Sequence, residues 1–510
     1  MKSTIANKSS SLGGRTTLYW LALALAIAGA NLANQASLDF SLLSGLFIVF
    51  TYLTVSALGG LWTLMGVSVA FLAMEHVIVA CFSKFILGEP IEARLENPTT
   101  TMGIYCVGMA SMAAAAWFAS KINLGGAKVL FAPTQDASML RRMAIIGFFC
   151  ECMQLFVVRL AGTGPLGQAQ TGGVLGLIRA MTFLPPLAVA CATASVIIRT
   201  EARRSFDAVS FLTMFPPVVY GVVGAGRWEL ALSLIAYGLT AFMFRFRFRP
   251  VHYAGFAAVA LLGLYILFPY VIVARAVVRG PDMMLNLTRG LTVLEDVVSN
   301  PLKYQQTNFH QERVLPPDFR RQRFFDPPRP NLERFSAMKL TDAVAAGSIR
   351  RGAIGWASIS PGFTMLVPAF ILPNKPILGT TNMLAHLTTG ILAPDDYGTQ
   401  VTTGFFVDGF VSFRWTGVVI ASFLIMLAYL GVYRLLVVQN LRQNVWGVCL
   451  AFTTAHVFSE TTIQSQMLQI FQVPIAIVLV FAGIKLGGKL LEPKQSKLRL
   501  AQVQPVNEGA

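Results

Sequence analysis

The chain has 510 residues, 55% of them hydrophobic and only 13% charged, with a mean hydropathy of +0.62. Ordinary soluble domains carry about 25% charged residues, so this composition excludes a soluble globular protein and places the chain in lipid. Its net charge of +16 is read as loop orientation and attraction to anionic head groups, and no nucleic-acid partner is expected.

Apolar runs of bilayer-spanning length predict an all-α integral membrane protein with roughly twelve transmembrane helices. In chain order they cover 17–34, 40–58, 61–83, 101–120, 143–160, 174–198, 207–225, 228–244, 251–276, 415–437, 443–460 and 469–487. The first run follows Lys2, Lys8 and Arg15 and also fits a signal peptide ending near Ala36. Four regions follow: an N-terminal transmembrane part over 1–276, a large loop over 277–412, a C-terminal transmembrane part over 413–487 and a basic tail over 488–510.

Charge sets the expected orientation. With the N-terminus in the cytoplasm, the inner loops hold Lys121, Lys128, Arg141 and Arg142; Arg199, Arg203 and Arg204; Arg245, Arg247 and Arg249; and Arg434 and Arg442. The tail, with Lys485, Lys489, Lys494, Lys497 and Arg499, is then also inside. Short basic loops belong on the cytoplasmic side, so both termini are expected there. The 277–412 loop is then extracytoplasmic. Its two moderately apolar pieces, around 353–372 and 377–392, are broken by Pro361, Pro368, Pro373 and Pro376. They read as short helices on the membrane surface, with a further pair of spans as the competing reading.

The outer side is rich in arginine. Arg159 and Arg179 end spans five and six, and Arg227 lies in the short turn Gly224-Ala225-Gly226-Arg227. The loop adds Arg279, Arg289, Arg313, Arg320, Arg321, Arg323, Arg329, Arg334, Arg350 and Arg351, against only Lys303, Lys339 and Lys375. The guanidinium fork bonds phosphate oxygens in pairs, which lysine cannot do, so a phosphate-bearing ligand is expected at this face. The bland alternative is surface pairing with loop acids such as Glu295, Glu312, Glu333 and Asp342.

Ionisable residues near membrane depth are Glu75, His76, Glu151, Glu229, His456 and Glu460, and a charge buried there is a functional candidate. His456 and Glu460 are four apart and share one helix face. Glu75-His76 reads equally well as a neutral, hydrogen-bonded structural element. The six cysteines fall inside apolar runs without metal spacing and read as packing residues. Walker, HExxH, GxSxG and DxD patterns do not occur, so nucleotide-driven pumping and metal-held nucleotide sugars are not expected. No metal ligands are assigned and no cofactor is called for.

The C-terminal half resembles a known family. Glu333-Arg334-Phe335-Ser336, Ile349-Arg350-Arg351-Gly352 and Ile371-Leu372-Pro373-Asn374-Lys375-Pro376 are similar to the outer loop of the bacterial oligosaccharide repeat-unit polymerases, the O-antigen polymerase or Wzy class. Gly404-Phe405-Phe406-Val407-Asp408-Gly409-Phe410, leading through Trp415-Thr416-Gly417 into a span, resembles that family's glycine-punctuated approach to the next helix. Arg227 after small residues matches as well, and Arg351 with Gly362 fits a loose RX10G pattern. Where other members have an Ile-Pro-Arg-x-x-Trp-Pro-x-Lys-Pro stretch, this chain lacks the arginine and tryptophan and keeps Lys375.

The resemblance implies a glycosyltransferase that polymerises undecaprenyl-pyrophosphate-linked oligosaccharide repeats at the outer face of the inner membrane. The implied product is an envelope or exported polysaccharide, lipopolysaccharide or exopolysaccharide. Arg227, Arg350 and Arg351, with Arg334 and Arg159, are the expected pyrophosphate ligands, because fixed guanidinium groups stabilise charge developing on the leaving group. Glu460, His456, Glu333, Asp408 and His386 are the candidate bases for the acceptor hydroxyl. Expected partners are the lipid-linked oligosaccharide and membrane lipids, with a chain-length regulator and a flippase as neighbours. The alternatives are an O-antigen ligase acting on lipid A core, and a flippase or transporter of lipid-linked sugars.

Overall fold

The computed structural model describes residues 14–122, 129–131, 133, 135–160, 181, 183–223, 227–277, 283–301, 324–325, 336–367, 371–372, 384 and 403–491. Among the described residues the protein is all-helical, with only isolated bridges such as Thr63 with Asn440 in place of strands. Twelve of its helical stretches fall on the apolar runs: α1 Gly14–Ala33, α2 Leu38–Ala57, α3 Leu64–Leu87, α4 Pro98–Lys121, α5 Ala137–Leu160, α6 Leu184–Arg199, α7 Ala208–Val223, α8 Arg227–Met243, α9 from Pro250 to Val277, then α13 Phe405–Leu436, α14 Val445–Glu460 and α15 Ile463–Leu491. Seven helices are long and apolar enough to cross a membrane, namely α1 to α4, α9, α13 and α15. Shorter apolar helices cover Leu184–Arg199, Ala208–Val222 and Leu230–Met243. Large apolar side chains on these helices, among them Leu25, Phe82, Phe149, Phe211, Leu424 and Ile475, are exposed. Exposed apolar side chains in this number suit a lipid surround.

Between α9 and α13 lie α10 Met283–Ser299, α11 Met338–Arg351, a 3-10 turn at Gly355–Ser358 and α12 Ser360–Leu366. The short helix α12, at one of the two expected surface pieces, packs on α15, where Gln472 donates to the Met365 carbonyl at 3.3 Å. Most of 377–392 lies outside the described residues. Helix α10 joins Val297 to Leu230, Tyr270, Val271 and Ala274 in a small apolar cluster of its own. The main core centres on α4, which packs against α2 and α13, while α14 packs on α3 and α6.

The molecule has two chemically distinct ends. At one, backbone bonds tie the helix termini together: Leu64 N–H to Gln439 O at 3.0 Å, Leu441 N–H to Trp62 O at 2.9 Å and Phe131 N–H to Leu436 O at 2.8 Å. Arg434 caps the Ala119 carbonyl at 2.8 Å, and Arg199 pairs with Asp207 at 3.1 Å. This basic end gathers the short arginine-bearing connections. The opposite end carries α11 and the turn into α13; helix directions put the C-termini of α3, α5, α7 and α14 there.

Helix α13 is not one rod. Phe413 and Arg414 leave the helical region, with Arg414 at φ 58° and ψ −143°, so the first two turns fold against the remainder. The carbonyl of Gly409 lies so close to Gly417 that a Cβ there would collide with it. Glycine at 417 is what lets the chain reverse in so little space.

Candidate functional site

The loop end is organised by a buried carboxylate. Asp342 on α11 is fully buried and accepts from the Glu96 N–H at 2.7 Å, the Asn97 N–H at 2.9 Å and the Thr101 hydroxyl at 3.0 Å. Lys339, one turn earlier, stands 3.6 Å from the same carboxylate and donates to the Arg94 carbonyl. Two of these donors are backbone groups at the start of α4, where the first turn has no helical acceptors. The result is that α11 is fastened to the head of α4.

That fastening places the end of α11. Arg350 and Arg351 occupy its last turn, both exposed, and Arg350 bonds the Glu96 carboxylate at 2.5 Å. Both partners are about half exposed, at 59% and 46%, and an ion pair this open contributes only about 0–1 kcal/mol. Arg414 joins them from α13. Its guanidinium donates to the Ser348 hydroxyl and the Ser348 carbonyl, both at 2.8 Å, and lies over the Phe410 ring at 5.2 Å. A cation at a helix C-terminus is favourable for the helix itself, so part of this arrangement is structural.

A second group of polar side chains lies beneath. The turn Met74–Ile78 of α3 is a π-helix, a widened turn often found where a helix carries function. His76 on this turn is buried; its Nε2 is 2.8 Å from the Ser459 carbonyl and its Nδ1 is 3.1 Å from the Tyr105 hydroxyl. Neighbouring Glu75 lies on the same π-turn, with its Oε2 buried. The Oε1 of Glu460 is in turn 3.5 Å from His456 Nδ1, one turn back on α14. Gly404 closes the group: at φ +74° it lies so close that a Cβ would meet His76 Cε1 at 3.0 Å and the Ser459 carbonyl at 3.2 Å. Helix α4 links both groups, because Thr101 holds Asp342 and Tyr105, one turn on, holds His76.

Asp408 is placed otherwise. It is fully buried, and its Oδ2 accepts the Ile463 N–H at 2.8 Å, capping the first turn of α15 just beyond the break between α14 and α15. Gln466 spans the same break, donating to Val457 O at 2.6 Å and Thr461 Oγ1 at 3.0 Å while accepting from the Tyr429 hydroxyl at 2.7 Å.

Of the residues singled out from sequence, the structure brings Glu460, His456, Glu75 and His76 into one group and puts Arg350 and Arg351 at the same end of the molecule. Arg227 opens α8 and Arg159 lies in the last turn of α5, both by helix direction at that end; their side chains are not described. Glu333, Arg334 and His386 lie outside the described residues. Sequence reasoning did not single out Arg414, Tyr105, Glu96 or Gly404 as site residues. The signal for Arg414 was its place in Phe413-Arg414-Trp415 at a span border, which reads as an interfacial anchor; Gly404 opens the glycine-punctuated stretch, and for Tyr105 only the fold supplies a signal.

No group of three or more metal-binding side chains occurs among the described residues. Set against known proteins, the chain matches no family model, no curated protein and no solved structure. Fold and site together define the class, an all-α protein with several helices suited to a membrane.

Proposed function

We propose that this protein is a membrane glycosyltransferase that joins oligosaccharide repeats carried on undecaprenyl pyrophosphate, in the manner of the O-antigen polymerases its loop resembles. In this reading the chain spans the bacterial inner membrane about twelve times, with its basic end in the cytoplasm and its loop end outside. The observation that carries the proposal is one juxtaposition. Helix α4 fastens both an arginine-tipped helix end, Arg350-Arg351, and a carboxyl–histidine group, Glu75, His76, His456 and Glu460, at the same end of the bundle.

The chemistry follows from these residues. Arg350 and Arg351, with Arg227, Arg334 and Arg159, bind the pyrophosphate of the donor. Arg350 exchanges its exposed Glu96 partner for phosphate at little cost, since that pair contributes only about 0–1 kcal/mol. Guanidinium groups fixed at the leaving pyrophosphate lower the barrier as its charge develops. Glu460 takes the proton of the acceptor hydroxyl, assisted by His456 at 3.5 Å. Asp408 is the weaker candidate for that role, because its carboxylate already caps α15. Polymer length would be set with a separate chain-length regulator, and the substrate supplied by a flippase.

The test is substitution at the arginines. Losing one charge-assisted hydrogen bond costs about 1.5–3 kcal/mol, or roughly ten- to a hundredfold in rate. Arg351→Lys and Arg227→Lys should each cut polymer formation by about that factor with the protein still present in the membrane at normal level. Full activity in both variants would overturn the assignment. Transfer to lipid A core without elongation would instead establish a ligase.

A further inference from the structure

A residue other than glycine is uncommon at positive φ, and it stays there only where its surroundings hold it. Arg414 is such a residue. It sits at φ 58° and ψ −143° where α13 doubles back, in a backbone region suited to glycine. The bend already uses Gly409 and Gly417 where its two arms cross, so a glycine at 414 would serve the turn itself better. What arginine adds is its side chain. The guanidinium donates to both the hydroxyl and the carbonyl of Ser348, each at 2.8 Å, and lies over the Phe410 ring of the short arm. Ser348 is fully buried and stands two residues before Arg350 on α11. Its carbonyl also accepts the Gly352 N–H at 2.8 Å, so Arg414 grips the point where α11 ends. The chain beyond is pinned to the short arm of α13. Ile354 N–H donates to Val411 O at 3.0 Å, the Ser358 and Ser412 hydroxyls are 2.6 Å apart, and Trp356 packs edge-on against Phe413. Asp342 fixes the same helix to α4, about 9 Å along the axis from Ser348 at a helical rise of about 1.5 Å per residue. A helix held at two such points has its direction set, and so has the exposed pair Arg350-Arg351 at its tip.

We propose that Arg414 is a positioning residue for the pyrophosphate site: it clamps Ser348 so that Arg350 and Arg351 meet a diphosphate as a preformed pair of guanidinium groups. This rests on the transferase reading above, in which those two arginines bind the donor's pyrophosphate. The strained backbone at 414 is the consequence of putting a guanidinium where the bend favours glycine. Donors held in place beforehand bind an anion without first ordering the segment that carries them. They also need no rearrangement as charge develops on the leaving pyrophosphate. Arg414 itself touches no reacting atom, and both of its bonds stay with Ser348 throughout.

The experiment uses the full-length protein in nanodiscs and compares Arg414→Gly, Arg414→Lys and Ser348→Ala with wild type. Arg414→Gly removes the grip and the strain together, so the two effects on stability oppose each other and the melting temperature should stay near that of wild type. Hydrogen exchange at the Gly352 amide should nonetheless quicken about tenfold as the last turn of α11 loosens. Affinity for inorganic pyrophosphate, measured by titration calorimetry, should fall about ten- to a hundredfold, and elongation of a lipid-linked oligosaccharide by a similar factor. Arg414→Lys keeps the charge and the native backbone but lacks the two-pronged fork, and should bind pyrophosphate as poorly as Arg414→Gly. Ser348→Ala should lose a smaller factor, and combining it with Arg414→Gly should add little, since both remove one contact. A residue needed only for folding would leave affinity intact wherever the melting temperature is kept; one needed only for charge would be rescued by lysine. Wild-type pyrophosphate affinity in a folded Arg414→Gly, or full recovery in Arg414→Lys, overturns the proposal. Should Arg414→Gly melt early, Arg414→Lys decides alone. If wild type binds pyrophosphate yet never elongates, the transferase reading falls while the affinities still judge Arg414. A wild type that binds no pyrophosphate overturns both.

Discussion

Asp342 ties together more of the loop end than any other carboxylate described. It serves two backbone N–H groups, a hydroxyl and Lys339 at once, and removing it leaves the first three without this acceptor and Lys339 without its counter-charge. Breaking a buried charge pair from one side costs about 3–5 kcal/mol. Asp342→Ala should therefore lower the melting temperature in detergent markedly and release the α11 end, increasing proteolysis near Arg351; an unchanged melting curve would contradict this account of the loop end. Gly404 gives a second residue-scale expectation. Its φ of 74° and ψ of 157° lie in a region open essentially to glycine, where another residue costs about 1–3 kcal/mol. A methyl there would also press on His76 and the Ser459 carbonyl. Gly404→Ala should destabilise the protein by that amount and reduce elongation, whereas Gly431→Ala, which meets open space within 4 Å, should do neither. His456 and Glu460 were legible as a pair from their spacing alone. Tyr105 and Ser459 were not, because the His76–Ser459 bond joins residues 383 apart in sequence, and such a contact leaves no local pattern.

At the scale of elements, the apolar stretches were the readable part, since runs of bilayer length leave a strong composition signal. Each expected stretch falls on a helix, although five of the twelve do not meet the length and apolarity of a span, among them α14 and the three shorter apolar helices α6, α7 and α8. The loop helices α10 and α11 were not delimited from sequence. Helix α10 buries only Val297 and a few neighbours against α9 and α7, and α11 mixes the core residues Met338, Val344 and Ala345 with buried Lys339, Thr341 and Asp342; a search for apolar runs passes over both. The fold of α13 back on itself explains why a glycine-punctuated stretch precedes its long arm: Gly409 and Gly417 meet where the two parts cross. The junction of α14 and α15 yields a prediction at this scale. Losing an N-cap costs about 0.5–2 kcal/mol, and Asn caps nearly as well as Asp. Asp408→Asn should thus keep both stability and polymer formation, while Asp408→Ala should lose stability. Polymer formation abolished in a well-folded Asp408→Asn would return Asp408 to the position of catalytic base.

For the molecule as a whole, the separation of its two ends is the property on which function depends. Arg199, Arg434 and the short basic connections lie at one end, and Arg350, Arg351 and Arg414 with the carboxyl–histidine group at the other. In the proposed orientation, which follows the positive-inside rule, the first end faces the cytoplasm. Single cysteines report this directly, because four of the six native thiols are buried and the other two partly so. A membrane-impermeant maleimide should label Trp356→Cys in intact cells, where Trp356 is 62% exposed, and Arg249→Cys only after permeabilisation. The reverse pattern would invert the molecule and remove the loop end from the side where lipid-linked repeats are joined. The measurement that tests the central claim most directly is reconstitution. Purified protein in nanodiscs would be given only a short oligosaccharide repeat on undecaprenyl pyrophosphate, without nucleotide, and the products weighed by mass spectrometry. Dimers and higher multiples of the repeat, released with equivalent undecaprenyl pyrophosphate, are the predicted result. A correctly folded protein that leaves the substrate unextended would contradict the account.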